Sequence, residues 1–515
     1  MFLYEQTETA LEIVQLGWQK QGFFAYGNGI YADKKWYTTD EYGIVRLDDE
    51  RNFYLPAFSR VYADEQKLFQ FERRFVHLGY SAISLLDYSK KLVAVFGNNA
   101  KIGIGFLLAA LFRDIVTAQS QFPILNLFGP KGSGKTELGT SLMSFFVIEN
   151  KPPNLHSSSK ASLGDTVAQC ANALVHLDEY RNDLELEKRE FLKAIWDGTG
   201  RTRMNMDRDK KRETTAVDCG VIVSGQEMAT ADIALFSRMI FLTFDTSEFT
   251  AEAKRRFNEL LEERKKGLSH LALQILSHRK KFEAEYDGNY KSAFSDITGQ
   301  LEQARIEDRI LRNWVVPLAA FRTLSGVLEL PFTYNDMLKI TIEGIVRQNS
   351  ECKSNNELGK FWDLVAYLRQ NGDIYNESDY RIVYVNEFSC NSPAVKMQFK
   401  EQKRILLLRK SRIFQLYKKE ARAVGETSLP EGSLKFYLEK SPEFIGTKNS
   451  VRFKNVSKGV FDITVKKDEH GRDVTTYKQT VDMAMAFDYD MLSTHYNINL
   501  EVSDIFAQED EFKGK

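Results

Sequence analysis

An eight-residue glycine motif constrains this chain more than any other feature. Residues 129–136 read Gly-Pro-Lys-Gly-Ser-Gly-Lys-Thr, a complete G-x-x-x-x-G-K-T phosphate loop. The apolar run 123–128 before it predicts a buried strand, and helical spacing follows it. In that context backbone N–H groups surround phosphates at a helix N-terminus. We therefore expect ATP here, with Lys135 on the β- and γ-phosphates and Thr136 on Mg²⁺. The residues predicted to bind the nucleotide are Gly129, Pro130, Lys131, Gly132, Ser133, Gly134, Lys135, Thr136 and, from the strand described next, Asp178.

A second apolar strand, residues 173–177, ends in the acidic pair Asp178 and Glu179. A carboxylate at the end of a strand can hold the Mg²⁺ shell of an ATPase, and Asp178 fits that role. Glu179 fits the group that activates the attacking water. The alternative is a strand followed by a solvated acidic turn. His176, on the same strand, is interpreted as a core histidine.

Two further strands supply candidates for sensing and completing the site. The strand 219–223 ends in Ser224-Gly225-Gln226, where a polar side chain could bond the γ-phosphate or the water. We favour Gln226, with Ser224 second; the alternative is an ordinary turn. Arg238 precedes the strand 239–244 and is a candidate arginine finger that acts on a neighbouring subunit. The alternative for Arg238 is a surface salt bridge.

A basic hairpin is predicted between the acidic pair and the Ser224 strand, at about residues 198–217. Two alternating, threonine-containing arms flank a charged tip. In a ring such tips could track a phosphate backbone, whereas the alternative is a solvated charged loop. The residues predicted to contact DNA are Arg201, Arg203, Arg208, Lys210, Lys211 and Arg212.

Composition limits where the protein acts. The net charge of −1 leaves no overall basic field, so a nucleic-acid site must be a local patch. The four cysteines are far apart and form no C-x-x-C pair, which favours a reducing, cytoplasmic setting. The first residues lack the pattern of a signal peptide, and the longest apolar stretch, 102–112, is too short to cross a bilayer. We expect no membrane partner.

The predicted organisation is an α/β protein of 515 residues with four parts. An N-terminal α+β domain spans 1–118, a P-loop core with a parallel sheet and helices on both faces spans 119–248, and a helical lid spans 249–350. The region 351–515 contains a basic helix at 403–419, a second helix at 428–438, a two-stranded wing at 444–454 and an acidic tail. This pattern indicates a winged-helix-like DNA-binding region; the alternative is a packing domain with a solvated basic face.

The order of these parts resembles AAA+ hexameric helicases with a pre-sensor hairpin, a group that includes MCM-like and superfamily III replicative helicases. More narrowly, the segments 17–18, 96–101, 197–203 and 223–227 resemble helicases of plasmids, prophages and integrated mobile elements. That set includes staphylococcal cassette-chromosome helicases and phage primase-helicases. The resemblance covers roughly residues 15–250.

The resemblance implies an AAA+ core and roles for individual residues. That family often has asparagine or threonine as its first sensor, so Gln226 departs from the pattern. Arg309 and Arg312 are the candidates for a second sensor. The residues that take ATPase roles by resemblance are Lys135, Thr136, Asp178, Glu179, Gln226 and Arg238, and those that take channel roles are Lys210 and Lys211.

The function expected from the sequence is an ATP-dependent DNA helicase. It would use ATP and Mg²⁺ and would form a ring, which we expect to be a hexamer, on single-stranded or forked DNA. Its expected role is in replication of a mobile element or phage. A primase, fused or separate, or an initiator is a possible partner. Two alternatives stay open: a non-helicase AAA+ ATPase, such as an origin-melting initiator or a defence NTPase, and a nucleotide-gated DNA-binding scaffold.

Overall fold

The computed structural model describes residues 9–501, apart from positions 49–50, 66, 205–211, 230–231, 246–249, 302–305, 355–356, 424–427, 442, 458, 468–472 and 497. The chain divides into two units, residues 1–350 and 351–515. The finer boundaries at 118/119 and 248/249 remain predictions.

Short, aromatic-rich strands begin the first unit. β2 to β5 form an antiparallel meander, and β1, β7 and β6 form a second small sheet. Tyr26 is fully buried, and its hydroxyl donates to the carbonyl of Phe145 at 3.0 Å, which ties the meander to the next part of the unit. The strands are β1 Leu11–Glu12, β2 Leu16–Trp18, β3 Phe24–Tyr26, β4 Gly29–Ala32, β5 Lys35–Thr38, β6 Ile44–Arg46 and β7 Asn52–Tyr54, followed by short 3₁₀ turns at Pro56–Phe58 and Arg60–Tyr62.

A long apolar helix, α1 (Leu85–Ala110), leads to the short α2 (Arg113–Val116) and then to the phosphate loop. The Ser84 side chain caps α1 by accepting from the backbone N–H of Asp87, and the helix kinks at Gly97. α1 is therefore longer than the apolar run seen in the sequence, and it is long and apolar enough to cross a membrane. In its most apolar window, however, 56% of the residues are buried inside the structure, as expected of a core helix.

A four-stranded parallel sheet in the order β10-β13-β8-β14 forms the centre of unit 1. β8 lies between β13 and β14 and carries the phosphate loop at its carboxyl end. β9 instead pairs with β2, so this strand of the core extends the sheet of the N-terminal meander. The elements are β8 Ile124–Phe128, α3 Lys135–Met143, α4 Lys160–Ala168, β9 Cys170–Ala171, β10 Leu174–Tyr180, α5 Leu186–Trp196, β11 Thr199–Met204, β12 Arg212–Ala216, β13 Gly220–Gly225, α6 Ile233–Phe236 and β14 Met239–Thr243.

Helices follow the sheet. Thr250 caps α7 by accepting from the N–H of Ala253, and Arg264 near the end of α7 bonds Glu137 of α3 at 2.7 Å. This ion pair ties the helical segment to the helix that follows the phosphate loop. The helices are α7 Ala251–Lys265, α8 Ser269–Leu276, α9 Arg279–Gln300, α10 Asp308–Leu324 and α11 Tyr334–Ser354.

The second unit is built on an antiparallel sheet in the order β15-β16-β22-β17. One buried cluster includes Trp362, Tyr380, Phe414 and Phe487 and joins the helices to the sheet. The elements are α12 Glu357–Gln370, β15 Tyr380–Asn391, β16 Ala394–Arg409, α13 Lys410–Ala423, α14 Glu431–Lys440, β17 Phe444–Lys454, β18 Val456–Ser457, β19 Val460–Phe461, β20 Ile463–Lys467, β21 Asp473–Tyr477, β22 Gln479–Asp488 and α15 Tyr489–Tyr496.

Two predictions for this unit were wrong in detail. The basic helix predicted at 403–419 begins only at Lys410, because residues 405–409 pair with β22 as the end of β16. The two-stranded wing predicted at 444–454 is one strand, β17, which also pairs with β22. In both cases a long-range partner strand supplies the hydrogen bonds that a local helix or hairpin would have supplied.

Candidate functional site

The phosphate loop lies between β8 and α3. Gly132 and Gly134 have φ of 80° and 86°, a left-handed conformation that glycine adopts without steric cost. Lys135 is the first residue of α3, is largely buried, and donates from Nζ to the carbonyl of Pro130 at 3.1 Å. The loop thus surrounds its own lysine, and the N–H groups of the first turn of α3 lie beside it.

A cavity of about 800 Å³ opens beside the loop. Residues 132–137 form one wall, and side chains of α1 and α7, including Phe96 and Phe257, form another. Asn99, just after the kink of α1, donates to the carbonyl of Thr243 at the end of β14. The volume lies in the range of small-molecule sites and is ample for a nucleoside triphosphate.

The acidic pair lies at the carboxyl end of β10, next to β13. The pairing of these strands is irregular between Leu177 and Tyr180, and Glu179 has a positive φ of 62°. Such a bulge redirects side chains at a strand end. Asp178 is half-buried, whereas Glu179 is exposed. The carboxyl ends of parallel strands share one edge, so Asp178 lies at the same sheet edge as the phosphate loop.

Ser224, in β13, contacts Asp178. The Ser224 hydroxyl donates to Asp178 Oδ1, and His176 Nε2 lies 2.7 Å from the same hydroxyl oxygen. Ser224 and His176 are both buried, and burial lowers the pKa of His176 to about 4. His176 is therefore a core histidine, as the sequence indicated, and it also belongs to the polar network behind Asp178.

Gln226, favoured from the sequence as the sensor, lies one residue beyond the end of β13 and is exposed. Ser224, the second choice, is the residue that the structure brings to Asp178. β13 ends at Gly225, so the sheet holds Ser224 beside β10, whereas Gln226 follows the last residue of the strand. A role for Gln226 remains a prediction.

Arg238 lies at the opposite edge of the parallel sheet. Its carbonyl accepts from the N–H of Ile124, the first residue of β8, whereas the phosphate loop follows the last residue of that strand. Nη1 of Arg238 donates to the carbonyl of Ala234 at 2.7 Å. Burial, and secondly the cation of Arg309, lower the pKa of Arg238. Within the described ranges no ion pair joins Arg238 to a carboxylate, so the alternative of a surface salt bridge is not seen; the nearby Asp232 pairs with Lys193 instead.

Two arginines contact one tryptophan at this edge. The guanidinium carbons of Arg238 and Arg309 lie 5.1 and 5.2 Å from the ring centroid of Trp196, within cation–π range. Arg309 also donates to Ser237 Oγ at 2.9 Å, and the indole N–H of Trp196 donates to Asn313 at 2.9 Å. Arg309 is therefore placed with Arg238 rather than with the phosphate loop. Arg312 pairs with Asp308 instead.

The basic hairpin begins three residues after Trp196. β11 and β12 pair antiparallel, with Thr199 opposite Ala216 and Met204 opposite Arg212. Arg201, Arg203 and Arg212 are therefore strand residues by their backbone. The predicted tip residues Arg208, Lys210 and Lys211 lie outside the described residues.

The donors for a metal suit Mg²⁺ rather than a cage of protein ligands. Thr136 and Asp178 are one hydroxyl and one carboxylate, and Mg²⁺ commonly keeps several waters and binds substrate phosphates. The described residues contain no group of three His, Cys, Asp or Glu side chains that could hold a metal ion. The Ser224 bond uses Oδ1 of Asp178 and leaves Oδ2 for a metal or its water. Mg²⁺ bound with ATP therefore fits these residues.

The basic run of the second unit is neutralised internally. Exposed ion pairs contribute only about 0–1 kcal/mol each, but they cancel the positive field that would attract a phosphate backbone. Contact of this run with DNA remains a prediction. The pairs are Lys403–Asp488, Arg404–Asp490, Arg404–Glu501, Arg409–Asp482, Lys410–Glu431, Arg412–Asp379, Lys418–Glu431 and Lys419–Glu420.

No protein-family model and no curated protein matches the sequence. Among solved structures, the active helicase Cch of SCCmec type IV is 10% identical, with a TM-score of 0.51 over 95% of this chain and 81% of that chain. This chain shares its fold with that helicase. The other two structures align less well.

JCV helicase is 15% identical, with a TM-score of 0.21 over 42% of this chain and 70% of that chain. The C-terminal region of NrS-1 is 14% identical, with a TM-score of 0.22 over 69% of this chain and 92% of that chain. The fold conclusion rests on Cch alone. This chain is thus an α/β protein with a parallel sheet and a phosphate-loop motif, and its fold is similar to that of a helicase.

Sequence reasoning missed several residues of this arrangement. Trp196 received no role, although it lies between two arginines, and Arg309 was named only as a candidate second sensor. The sequence holds one cue, since Trp196 directly precedes the Asp-Gly turn that opens the hairpin. Asn150, which contacts His176, lies in a loop without a recognisable motif.

Proposed function

We propose that this chain is an ATP-driven DNA helicase that assembles as a ring, with a hexamer as the expected form. The observation that carries the proposal is the division of functional residues between the two edges of one parallel sheet. Lys135 and Asp178 lie at the carboxyl edge, and Arg238 lies at the amino edge. One subunit therefore carries the nucleotide-binding residues at the carboxyl ends of its parallel strands and the candidate arginine finger at their amino ends.

The distance between the edges supports a role for Arg238 in a neighbouring subunit. β14 has five residues, Met239–Thr243, and pairs in register with Ile124–Phe128. Four residue steps of about 3.3 Å separate the strand ends by about 13 Å, and Arg238 lies one step further from the loop. Its side chain is also directed to Ala234 and Trp196. In a head-to-tail ring it would meet the γ-phosphate bound by the next subunit.

The hairpin supports coupling of that contact to DNA. Trp196 ends α5, contacts both arginines and lies three residues before β11. A change at the neighbouring nucleotide that moves Arg238 would therefore act directly on the base of the hairpin. We propose that its basic residues follow the phosphate backbone of single-stranded or forked DNA, in replication of a mobile element or phage.

Within the nucleotide site each residue has a proposed task. Lys135 and the loop N–H groups hold the phosphates, and Glu179 takes a proton from the attacking water. Mg²⁺, when bound with ATP, would neutralise phosphate charge and would be held by Thr136 and Asp178. The exposed position of Glu179 at the open sheet edge leaves room for a water and a substrate.

Strand displacement on forked DNA tests the proposal most directly. The full chain should separate the strands only with ATP and Mg²⁺, and electron microscopy with an ATP analogue and forked DNA should show closed rings. DNA-stimulated ATPase without strand separation would point to a non-helicase AAA+ ATPase. Nucleotide-dependent DNA binding with negligible hydrolysis would point to a scaffold.

A further inference from the structure

A chain of hydrogen bonds begins at Thr136, the residue of the phosphate loop to which we assign Mg²⁺. Thr140 Oγ1 donates to the carbonyl of Thr136 at 2.9 Å, and the amide nitrogen of Asn150 donates to Thr140 Oγ1 at 3.2 Å. The same amide nitrogen lies 2.9 Å from Nδ1 of His176. The first half of the chain thus runs from the loop helix α3 to a buried histidine of β10.

The second half runs from that histidine to the other proposed metal ligand. His176 Nε2 lies 2.7 Å from Ser224 Oγ, and the Ser224 hydroxyl bonds to Asp178 Oδ1. His176 is also packed directly on α3, because a Cβ added at Gly139 would lie 2.7 Å from its ring. Neither His176 nor Asn150 lines the nucleotide cavity.

One set of proton positions satisfies every bond. The single hydroxyl proton of Thr140 goes to a carbonyl, so its oxygen accepts from the Asn150 amide. The amide also donates to His176 Nδ1, which leaves the imidazole proton on Nε2. That proton points to Ser224 Oγ, so the Ser224 proton is directed to Asp178. Each group in turn determines the orientation of the next.

We propose that His176 is a positioning residue that, through Ser224, holds the Asp178 carboxylate in the orientation required for Mg²⁺ and links it to the phosphate-loop helix. This inference rests on the proposed ATPase function. The physical reason is that a carboxylate with one oxygen fixed by a hydroxyl presents its other oxygen in one direction. Ligand orientation by such outer partners strongly affects metal affinity.

The test measures binding of a fluorescent ATP analogue to the full chain in Mg²⁺ and in EDTA. In the parent protein Mg²⁺ should tighten binding. In Ser224→Ala and in His176→Phe the gain from Mg²⁺ should fall by about tenfold or more, the usual effect of losing an outer partner of a metal ligand. Affinity in EDTA should not change, because the phosphate loop is intact.

Three further variants separate positioning from general stability. Ser144→Ala removes another buried hydroxyl, which bonds the Ser141 carbonyl at 2.7 Å outside this network, and should keep the full Mg²⁺ gain. His176→Gln retains an N–H donor and should restore part of the gain that His176→Phe loses. The double variant His176→Phe/Ser224→Ala should be no worse than the poorer single variant, since both changes break one chain.

The outcomes distinguish this inference from the function on which it rests. A parent protein that gains nothing from Mg²⁺, or that binds the analogue no better than Lys135→Ala, would overturn the proposed ATPase site and this inference with it. A parent protein with a clear Mg²⁺ gain that Ser224→Ala and His176→Phe both keep would overturn the inference alone. Equal loss in Ser144→Ala would do the same, because a general loss of stability would then explain the effect.

Discussion

The hydroxyl of Ser224 donates a hydrogen bond to the carboxylate of Asp178 and thereby joins the ends of two adjacent parallel strands. Asp178 is one of the two proposed Mg²⁺ ligands, and β13, which carries Ser224, lies between β10 and the phosphate-loop strand β8. The three strands therefore meet at the site as one hydrogen-bonded unit. Changes in this part of the molecule should affect hydrolysis more than folding, and the following predictions use that distinction.

Replacing Lys135 by Ala should abolish ATP turnover and strand separation. The β- and γ-phosphates lose a cation whose charge-assisted bonds are about twice as strong as neutral ones. Steady-state ATPase and forked-DNA assays check the prediction. Lys151→Ala, at an exposed lysine paired with Glu149, is the matched control and should behave as the parent. Normal turnover in Lys135→Ala would remove the basis of the site assignment.

Replacing Glu179 by Gln should leave ATP binding intact and lower the rate of hydrolysis by about 10²- to 10⁴-fold, the usual contribution of a general base. Glu179 is exposed and Gln has nearly the same size and shape, so the change should not disturb folding. Single-turnover hydrolysis and analogue binding measure the two effects separately. Glu187→Gln, at an exposed position of α5, should show neither. Weakened binding with unchanged hydrolysis would contradict the role of Glu179.

Replacing Arg238 by Ala should preserve ATP binding and lower hydrolysis by about 10³-fold or more, as for other arginine fingers. Mixing gives the decisive measurement. Combining Arg238→Ala subunits with Glu179→Gln subunits creates some interfaces with an intact Glu179 and an intact Arg238, so ATPase activity should partly return. If rings form at every ratio and no activity returns, Arg238 does not act on its neighbour.

Replacing Lys210 and Lys211 together by Ala should leave basal ATPase unchanged and sharply reduce DNA stimulation and unwinding. Each lost phosphate contact should reduce the slope of log affinity against log salt by about 0.7–0.9. Because backbone contacts do not read bases, DNA of different sequences should be affected alike. Fluorescence anisotropy over a salt series provides the measurement. Unwinding at the parental rate would show that the tip is a solvated loop.

Lowering the pH from 7 to 5 should destabilise the fold in part through His77. Its ring lies 4.4 Å from that of Trp36, its Nδ1 lies 3.0 Å from Ser269 Oγ, and burial, followed by the nearby His270, lowers its pKa. The unfolded chain therefore binds this proton more readily than the folded chain. The contribution of neutral His77 to the free energy of unfolding is complete above the unfolded pKa of about 6.5. It is lost as the pH falls through the folded pKa.

Urea unfolding at pH 7 and pH 5 measures that effect. His77→Phe keeps an aromatic ring against Trp36 but removes the titrating group, so its free energy of unfolding should fall less between the two pH values than that of the parent. An equal fall in both proteins would assign the acid sensitivity to other groups.

The sequence by itself determined the parts of the site that depend on local geometry. The phosphate loop needs two left-handed glycines, a strand before it and a helix after it, and all three are encoded within about twenty residues. The position of Asp178 and Glu179 at a strand end likewise follows from one apolar run. These assignments needed no knowledge of distant contacts.

Only the tertiary structure decided which distant residues meet. Ser224, rather than Gln226, faces Asp178 because β13 extends to Gly225 and pairs with β10 in one register, which no local pattern specifies. Residues 405–409 form a strand because β22, more than seventy residues later, lies beside them. Arg238, Arg309 and Trp196 meet because α10 packs near the amino edge of the sheet. Each result depends on long-range pairing and packing, which override the propensities of short segments.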